Sequence, residues 1–132
     1  MALLRERHSD TTNIRLVEDP AADTVRLMAA ADLMISDYSS VGMEFLTLDR
    51  PVVFIDHLGG AYSDPSLTEI YVREAGKTVR DGSELRRVIK HGLGSPGEDS
   101  AKRRKLAKHL FGPMDGRASE RGAAAIMALL DR

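Results

Sequence analysis

Residues 37–45 read Asp37-Tyr38-Ser39-Ser40-Val41-Gly42-Met43-Glu44-Phe45, and their types suit the binding of a phosphorylated ligand. Two adjacent hydroxyls follow a short apolar run, Leu33-Met34-Ile35-Ser36, and open a helical period in which Val41, Phe45 and Leu48 share one side. Where a strand passes into a helix, the unpaired N–H groups of the first turn and the dipole behind them attract phosphate. Ligands of open α/β sheets gather there, outside the carboxyl ends of the strands. Ser39 and Ser40 stand at that mouth, able to donate to phosphate oxygens beside the amides of Ser40 and Val41, and Gly42 would let a ligand approach closely. Glu44, one turn further on, can accept from both hydroxyls of a ribose. Plainer duties remain open: Ser40 as an N-cap, and Glu44 as a solvated carboxylate, although Glu44 lies one place beyond the capping-box position for a cap at Ser40. Tyr38 suits stacking on a base and packing beneath the loop equally.

These residues need a scaffold, and the rest of the chain supplies strand-like and helical segments in alternation, which predicts an α/β fold with a parallel sheet flanked by helices. A branched run at 14–17 precedes the turn Asp19-Pro20 and a helix through Ala31, with Asp23 as its N-cap and Val25, Met28 and Ala29 on its buried face. Residues 33–36 read as a central strand, residues 52–55 as the next, and Thr78-Val79 as a further short one. A loop is expected over 56–66, where Gly59, Gly60, Ser63, Asp64 and Pro65 interrupt any period. Ser83 is the expected N-cap of a helix with Leu85, Val88 and Ile89 inward, ended by Gly92 and Gly94. A surface linker over 94–99 leads to a basic helix over 100–111. The last helix, about 118–130, is expected to bury Ala123, Ile126, Met127 and Leu130.

Composition narrows the partners. With 132 residues, 42% of them hydrophobic, the chain has material for one core, and 1–132 is expected to be a single domain with the helices of 100–130 packed on it. Nineteen Lys and Arg against 20 Asp and Glu leave a net charge of -1, too little to gather nucleic acid, which is not expected as a partner. Cysteine is absent, which excludes disulfides and thiolate sites and fits a reducing compartment. Neither a signal-peptide pattern nor a bilayer-length apolar run is found, so a cytoplasmic protein is expected.

Asp37-Tyr38-Ser39-Ser40-Val41, with an acid at Glu44 and then Leu48-Asp49-Arg50-Pro51-Val52-Val53-Phe54, resembles the D-Y-S-S-V, acid, L-D-K/R-P-hydrophobic pattern of the CDP-glycerol glycerophosphotransferases of teichoic acid synthesis. Asp115-Gly116-Arg117-Ala118-Ser119-Glu120-Arg121 is similar to the D-G-x-A-S-x-R element near that family's C-terminus. The resemblance runs from about Ile14 to the end and is poor over 56–76. It implies a Rossmann-like donor-nucleotide domain, the C-terminal half of a GT-B architecture, with the acceptor held by an N-terminal domain outside this chain. It also implies that Ser39, Ser40 and Val41 bind the donor diphosphate of CDP-glycerol or a similar donor, and that Glu44 binds the ribose. Asp37, Tyr38, His57 and Arg117 are further candidates for donor contact. The family's histidine in a K-P-H-P-like turn has no counterpart, since His8 lacks flanking prolines, so no catalytic residue is assigned and the isolated chain is expected to be inactive. No cofactor and no metal are expected. The resemblance implies a cytoplasmic enzyme, peripheral at the inner face of the membrane when complete.

Other residues read more plainly. His57 suits a surface loop better than a site, and His91 and His109 fall on polar helix faces. Lys102-Arg103-Arg104-Lys105 with Lys108 reads as a solvated helix face, and Asp115 with Arg121 as a structural ion pair. Two other functions stay open: a fragment of a nucleotide-sugar glycosyltransferase or epimerase, and a non-catalytic homodimer that covers open sheet edges.

Overall fold

The computed structural model describes residues 12–37, 39–56 and 74–130. Val52–Ile55 (β2) is the middle strand of three, with Met34–Ser36 (β1) and Lys77–Val79 (β3) parallel to it on either side. Met34 is level with Val52 and Ser36 with Phe54, while Val53 is level with Lys77 and Ile55 with Val79. An uninterrupted branched and aromatic run suits a strand covered on both faces, and Val52, Val53 and Phe54 are all buried. The expected α/β class is borne out, but β1 is not central. Among the described residues it is an edge strand, and Ile35 is 44% exposed. Its apolar sequence reflects cover on one face, where Met34 meets the core.

That core lies on the face of β2 bearing Val52 and Phe54. Met28, Phe45, Leu46, Ala75, Leu106 and Ala107 close over it. Full burial of one large apolar side chain contributes about 1.5–3 kcal/mol, so Phe45, Leu46 and Phe54 dominate this side. Val53 and Val79 alternate to the opposite face, toward the helix Gly82–Gly94, which contacts β2 and β3.

Each helix begins or ends for a local reason. Asp23 caps Thr24–Ala30 (α1), accepting from the amides of Val25 at 3.0 Å and Arg26 at 3.2 Å. Only Met28 reaches the core, and Val25 and Ala29 are exposed, contrary to expectation, because a two-turn helix beside an edge strand has room for one inward position. Ser40–Phe45 (α2) tightens into a 3₁₀ turn, Leu46–Leu48, which brings Leu46 inward and leaves Leu48 exposed. Gly82–Gly94 (α3) is capped by Asp81 rather than Ser83. Asp81 Oδ1 accepts from the amides of Ser83 (2.7 Å) and Glu84 (3.3 Å), and from the Ser83 hydroxyl. Gly92, expected to end this helix, lies within it.

Ser100–Phe111 (α4) is tied to the turn before β2 by a buried cation. Arg103 is 3% exposed, although its neighbours Lys102, Arg104 and Lys105 are solvated as expected. Its Nε donates to Asp49 Oδ1 at 3.0 Å, and its Nη2 donates to the carbonyls of Asp49 (3.1 Å) and Pro96 (2.6 Å). Ser100 Oγ completes the cluster on Asp49 Oδ2 at 2.6 Å. Asp49 has left-handed backbone, φ 52°, which aspartate tolerates better than most residues. The adjacent Arg50 donates Nη1 to the carbonyls of Ala29 (2.7 Å) and Ala31 (2.6 Å), closing the end of α1.

The expected linker is pinned rather than loose. Lys77 Nζ meets Glu98 at 2.9 Å and Asp99 at 3.1 Å, Lys102 also reaches Asp99, and His91 Nε2 meets Glu98 Oε2. Hydrogen bonding to Glu98 first, then to Asp99, raises the Lys77 pKa above the ordinary lysine value. Lys77, then His91, hold Glu98 below the usual carboxylate range. Burial opposes ionisation of Asp99, yet Lys77 and Lys102 together outweigh it and hold that carboxyl low as well.

Ala118–Leu130 (α5) departs most from expectation. All of it is exposed, including Ala123, Ile126, Met127 and Leu130. Its sequence has an apolar face, but no other described element covers that face. The helix is held at its start, where Arg121 Nη1 meets both oxygens of Asp115 (2.8 and 2.9 Å) and Nη2 donates to the Pro113 carbonyl. No described helix is long and apolar enough to cross a membrane.

Two outcomes follow for stability. Arg103→Ala removes the buried partner of Asp49, which is itself 30% exposed and keeps Ser100 and Arg104, and should cost about 3 kcal/mol, the low end for breaking a buried pair, read from the urea midpoint. Carboxylates with folded pKa values below their unfolded ones, as in Glu98 and Asp99, contribute stability that is present above the unfolded value and lost as pH falls through the folded one. Lys77 is the opposite case, its contribution lost as pH rises through its elevated folded value. Melting temperature should therefore hold level through neutrality, fall below about pH 4, and fall again in strong alkali; Lys77→Met should flatten the alkaline limb.

Candidate functional site

All three strands point their carboxyl ends to one edge, where Asp56 and Arg80 directly follow β2 and β3, and Ser36, the last residue of β1, is level with Phe54 and Thr78, two residues short of them. From this edge the chain turns from β1 into α2. Ser36 Oγ and Ser39 Oγ lie 3.1 Å apart, and Ser39, with extended backbone (φ -84°, ψ 159°), is the N-cap of α2. The cap is therefore Ser39, not Ser40, and the Ser39 side chain does not bond to the first amides of the helix. Ser40 is exposed on the first turn. Val41 turns its side chain against the core, so an anion would meet only its amide.

Glu44 is exposed four residues after Ser40, on the same side of α2. Asp37 is exposed at the mouth. The structure thus brings Asp37, Ser39, Ser40 and the Val41 amide to one end of the sheet, with Glu44 one turn along α2 from them. Tyr38 and His57 lie outside the described residues. Arg117 belongs elsewhere, at the start of α5, where its Nε donates to Glu120 at 2.8 Å and its amide donates to Asp115 at 3.0 Å. Arg121 and the Arg117 amide together hold the Asp115 carboxyl below the ordinary range, as suits a structural ion pair.

Gly42 also has a different role from the one expected. A Cβ there would stand 3.1 Å from Ser36 Oγ and 3.3 Å from Phe54 Cε1, so the missing side chain lets α2 lie close on the sheet and leaves no opening for a ligand. The contact also places Ser36 beneath the first turn, within reach of Ser39.

Two helices start at this edge, and they differ. α3 is closed by its own aspartate, whose carboxyl is held low first by the Ser83 hydroxyl and then by the Ser83 and Glu84 amides. The first turn of α2 has the hydroxyls of Ser39 and Ser40 and no carboxylate cap from its own N-cap residue, with Asp37 two residues before it. An incoming anion is repelled by a carboxylate at one start and offered donors at the other.

Sequence reasoning missed three residues of this edge. Ser36 was read only as the end of an apolar strand, Asp56 as the first residue of a loop, and Arg80 was passed over. Arg80 Nε lies 3.5 Å from Asp56 Oδ2, and the Asp56 amide donates to the Val79 carbonyl at 2.8 Å. Each is the first residue after a strand or the last within one, which is the positional signal that could have found them.

Comparison with known proteins agrees with the motifs. The family described as CDP-Glycerol:Poly(glycerophosphate) glycerophosphotransferase matches residues 4–128. A teichoic acid glycerol-phosphate primase from Bacillus spizizenii is 42% identical over 59 residues, which cover 44% of this chain and 15% of that protein. No solved structure gives a significant match. With the family match running through the sheet, the serine-bearing mouth and the C-terminal helices, this chain belongs to the CDP-glycerol:poly(glycerophosphate) glycerophosphotransferase family.

Proposed function

We propose that this chain is the donor-nucleotide-binding domain of a glycerophosphotransferase, a single Rossmann-like unit of a GT-B architecture that takes CDP-glycerol or a similar activated polyol phosphate. The observation that carries the reading is the paired hydroxyls of Ser36 and Ser39 beneath a helix start that its own N-cap side chain leaves uncapped, in a member of this family. Ser39, Ser40 and the Val41 amide donate to the diphosphate, and Glu44 accepts from the ribose hydroxyls. α2 is only six residues long, so hydroxyls and amides contribute more than any helix dipole.

In the transfer itself an acceptor hydroxyl oxygen attacks the phosphorus that carries glycerol. The bridging P–O bond breaks, CMP leaves with the bonding electrons, and the hydroxyl proton passes to a base. Donors at this mouth stabilise the charge gathering on CMP. We assign no residue of this chain to the base, and the acceptor belongs to an N-terminal domain outside it. The complete enzyme works in the cytoplasm, peripheral at the inner face of the membrane.

Self-association is a second reading, favoured by the open β1 edge and its exposed Ile35. Sedimentation giving a tight dimer without nucleotide affinity would favour it over the donor reading.

Titration calorimetry with CDP-glycerol tests the first. Ser40→Ala and Glu44→Ala should each weaken binding by about 1.5–3 kcal/mol, roughly one to two decades in Kd. UDP-sugars should bind more weakly; the reverse order would move the assignment to a nucleotide-sugar enzyme. The 132-residue chain alone should release no measurable CMP, and robust turnover would refute its assignment as the donor half only.

A further inference from the structure

We propose that Arg80 binds the donor diphosphate and that Asp56 is the residue that positions it; the inference rests on the donor reading above. Arg80 follows β3 directly, at the edge where β1 delivers Ser36 and Ser39. Neighbouring strands lie about 4.8 Å apart, so the ends of β1 and β3 are roughly 10 Å apart, a gap that a diphosphate and an arginine side chain span together. Of the residues that directly follow the three strands Arg80 is the cation, its companions Asp37 and Asp56 are acids, and so is the next residue, Asp81. Neutral hydroxyls and amides cannot by themselves offset two phosphate charges beside three carboxylates, whereas a guanidinium can.

The ion pair is built asymmetrically. The Asp56 side chain is 3% exposed and that of Arg80 is 74% exposed. A buried carboxylate is costly in an apolar setting, and here it sits directly after the central strand, its amide locked to the Val79 carbonyl. The pair is made through Nε, at 3.5 Å. With Nε the atom nearest the carboxylate and the side chain 74% exposed, the terminal amino groups are available as a fork for two phosphate oxygens. With Arg80 74% exposed, solvent screens the arginine half of the pair, so the contact gives the guanidinium a direction more than it adds stability.

Chemical-shift titration of the 132-residue chain, which reaches millimolar affinities, tests this with CDP-glycerol and with cytidine, which lacks phosphate. Arg80→Gln should weaken CDP-glycerol roughly ten- to a hundredfold, leave cytidine unchanged, and be partly rescued in Arg80→Lys. Asp56→Asn should weaken CDP-glycerol too, but add nothing in the Arg80→Gln background, a non-additivity that general loss of structure would not produce. If Arg80→Gln binds CDP-glycerol like the parent while Ser40→Ala does not, or loses cytidine equally, the Arg80 assignment fails alone. If the parent chain binds neither ligand, the donor reading fails and takes this inference with it.

Discussion

A guanidinium removed from water must find partners for its charge and its donors, and in this chain that demand joins segments far apart in sequence. Arg103 of α4 reaches back to the carboxylate and carbonyl of Asp49 and across to the carbonyl of Pro96. Asp49 closes the 3₁₀ turn after α2 and, with Arg50 and Pro51, leads into β2. The clamp thus holds the end of the element that starts at the serine mouth, the entry to the central strand, and the helix that closes the core with Leu106 and Ala107. Arg50, turned the other way, seals α1. Leu48-Asp49-Arg50-Pro51, one part of the family resemblance, is therefore a structural junction.

Separation of this junction from the serine mouth explains the shape of the candidate site. The strands are fixed at their amino ends by the clamp and the Lys77 network, while polar residues collect at their carboxyl ends. Ser39 and Ser40 present neutral donors, Asp81 shuts the neighbouring helix, and Arg80 brings a positive charge steadied from below. A patch of mixed character like this can hold an anion and a hydroxylated ring together, since the donors and the Glu44 carboxylate occupy successive turns of one helix.

Strand β2, the helix over 100–111 and the Asp23 cap were legible in the sequence because local pattern decides them: an unbroken branched run, a basic run set off by a Gly- and Pro-containing linker, and a short polar side chain before a helix. The serine mouth was legible for a similar reason, since strand, hydroxyls and helix are contiguous. Tertiary partners were not. Nothing in Lys102-Arg103-Arg104-Lys105 marks Arg103 as the buried member, because burial depends on Asp49, 54 residues away. Periodicity gave α5 an inward face without saying what lies inward, and no described element covers Ile126 or Leu130. Gly42 was misread because a glycine at a helix start serves a ligand or a neighbouring strand equally well, and only the position of Ser36 and Phe54 decides between them.

The parallel order of β1, β2 and β3 separates two directions in the molecule. Hydrogen bonds that would add a strand run sideways, across the sheet, while the ligand mouth opens along the strand axes. Lateral extension and recognition are thus orthogonal. Another segment could pair with the outer flank of β1 or β3 and widen the platform without shifting a hydroxyl, an amide or a charge at the mouth.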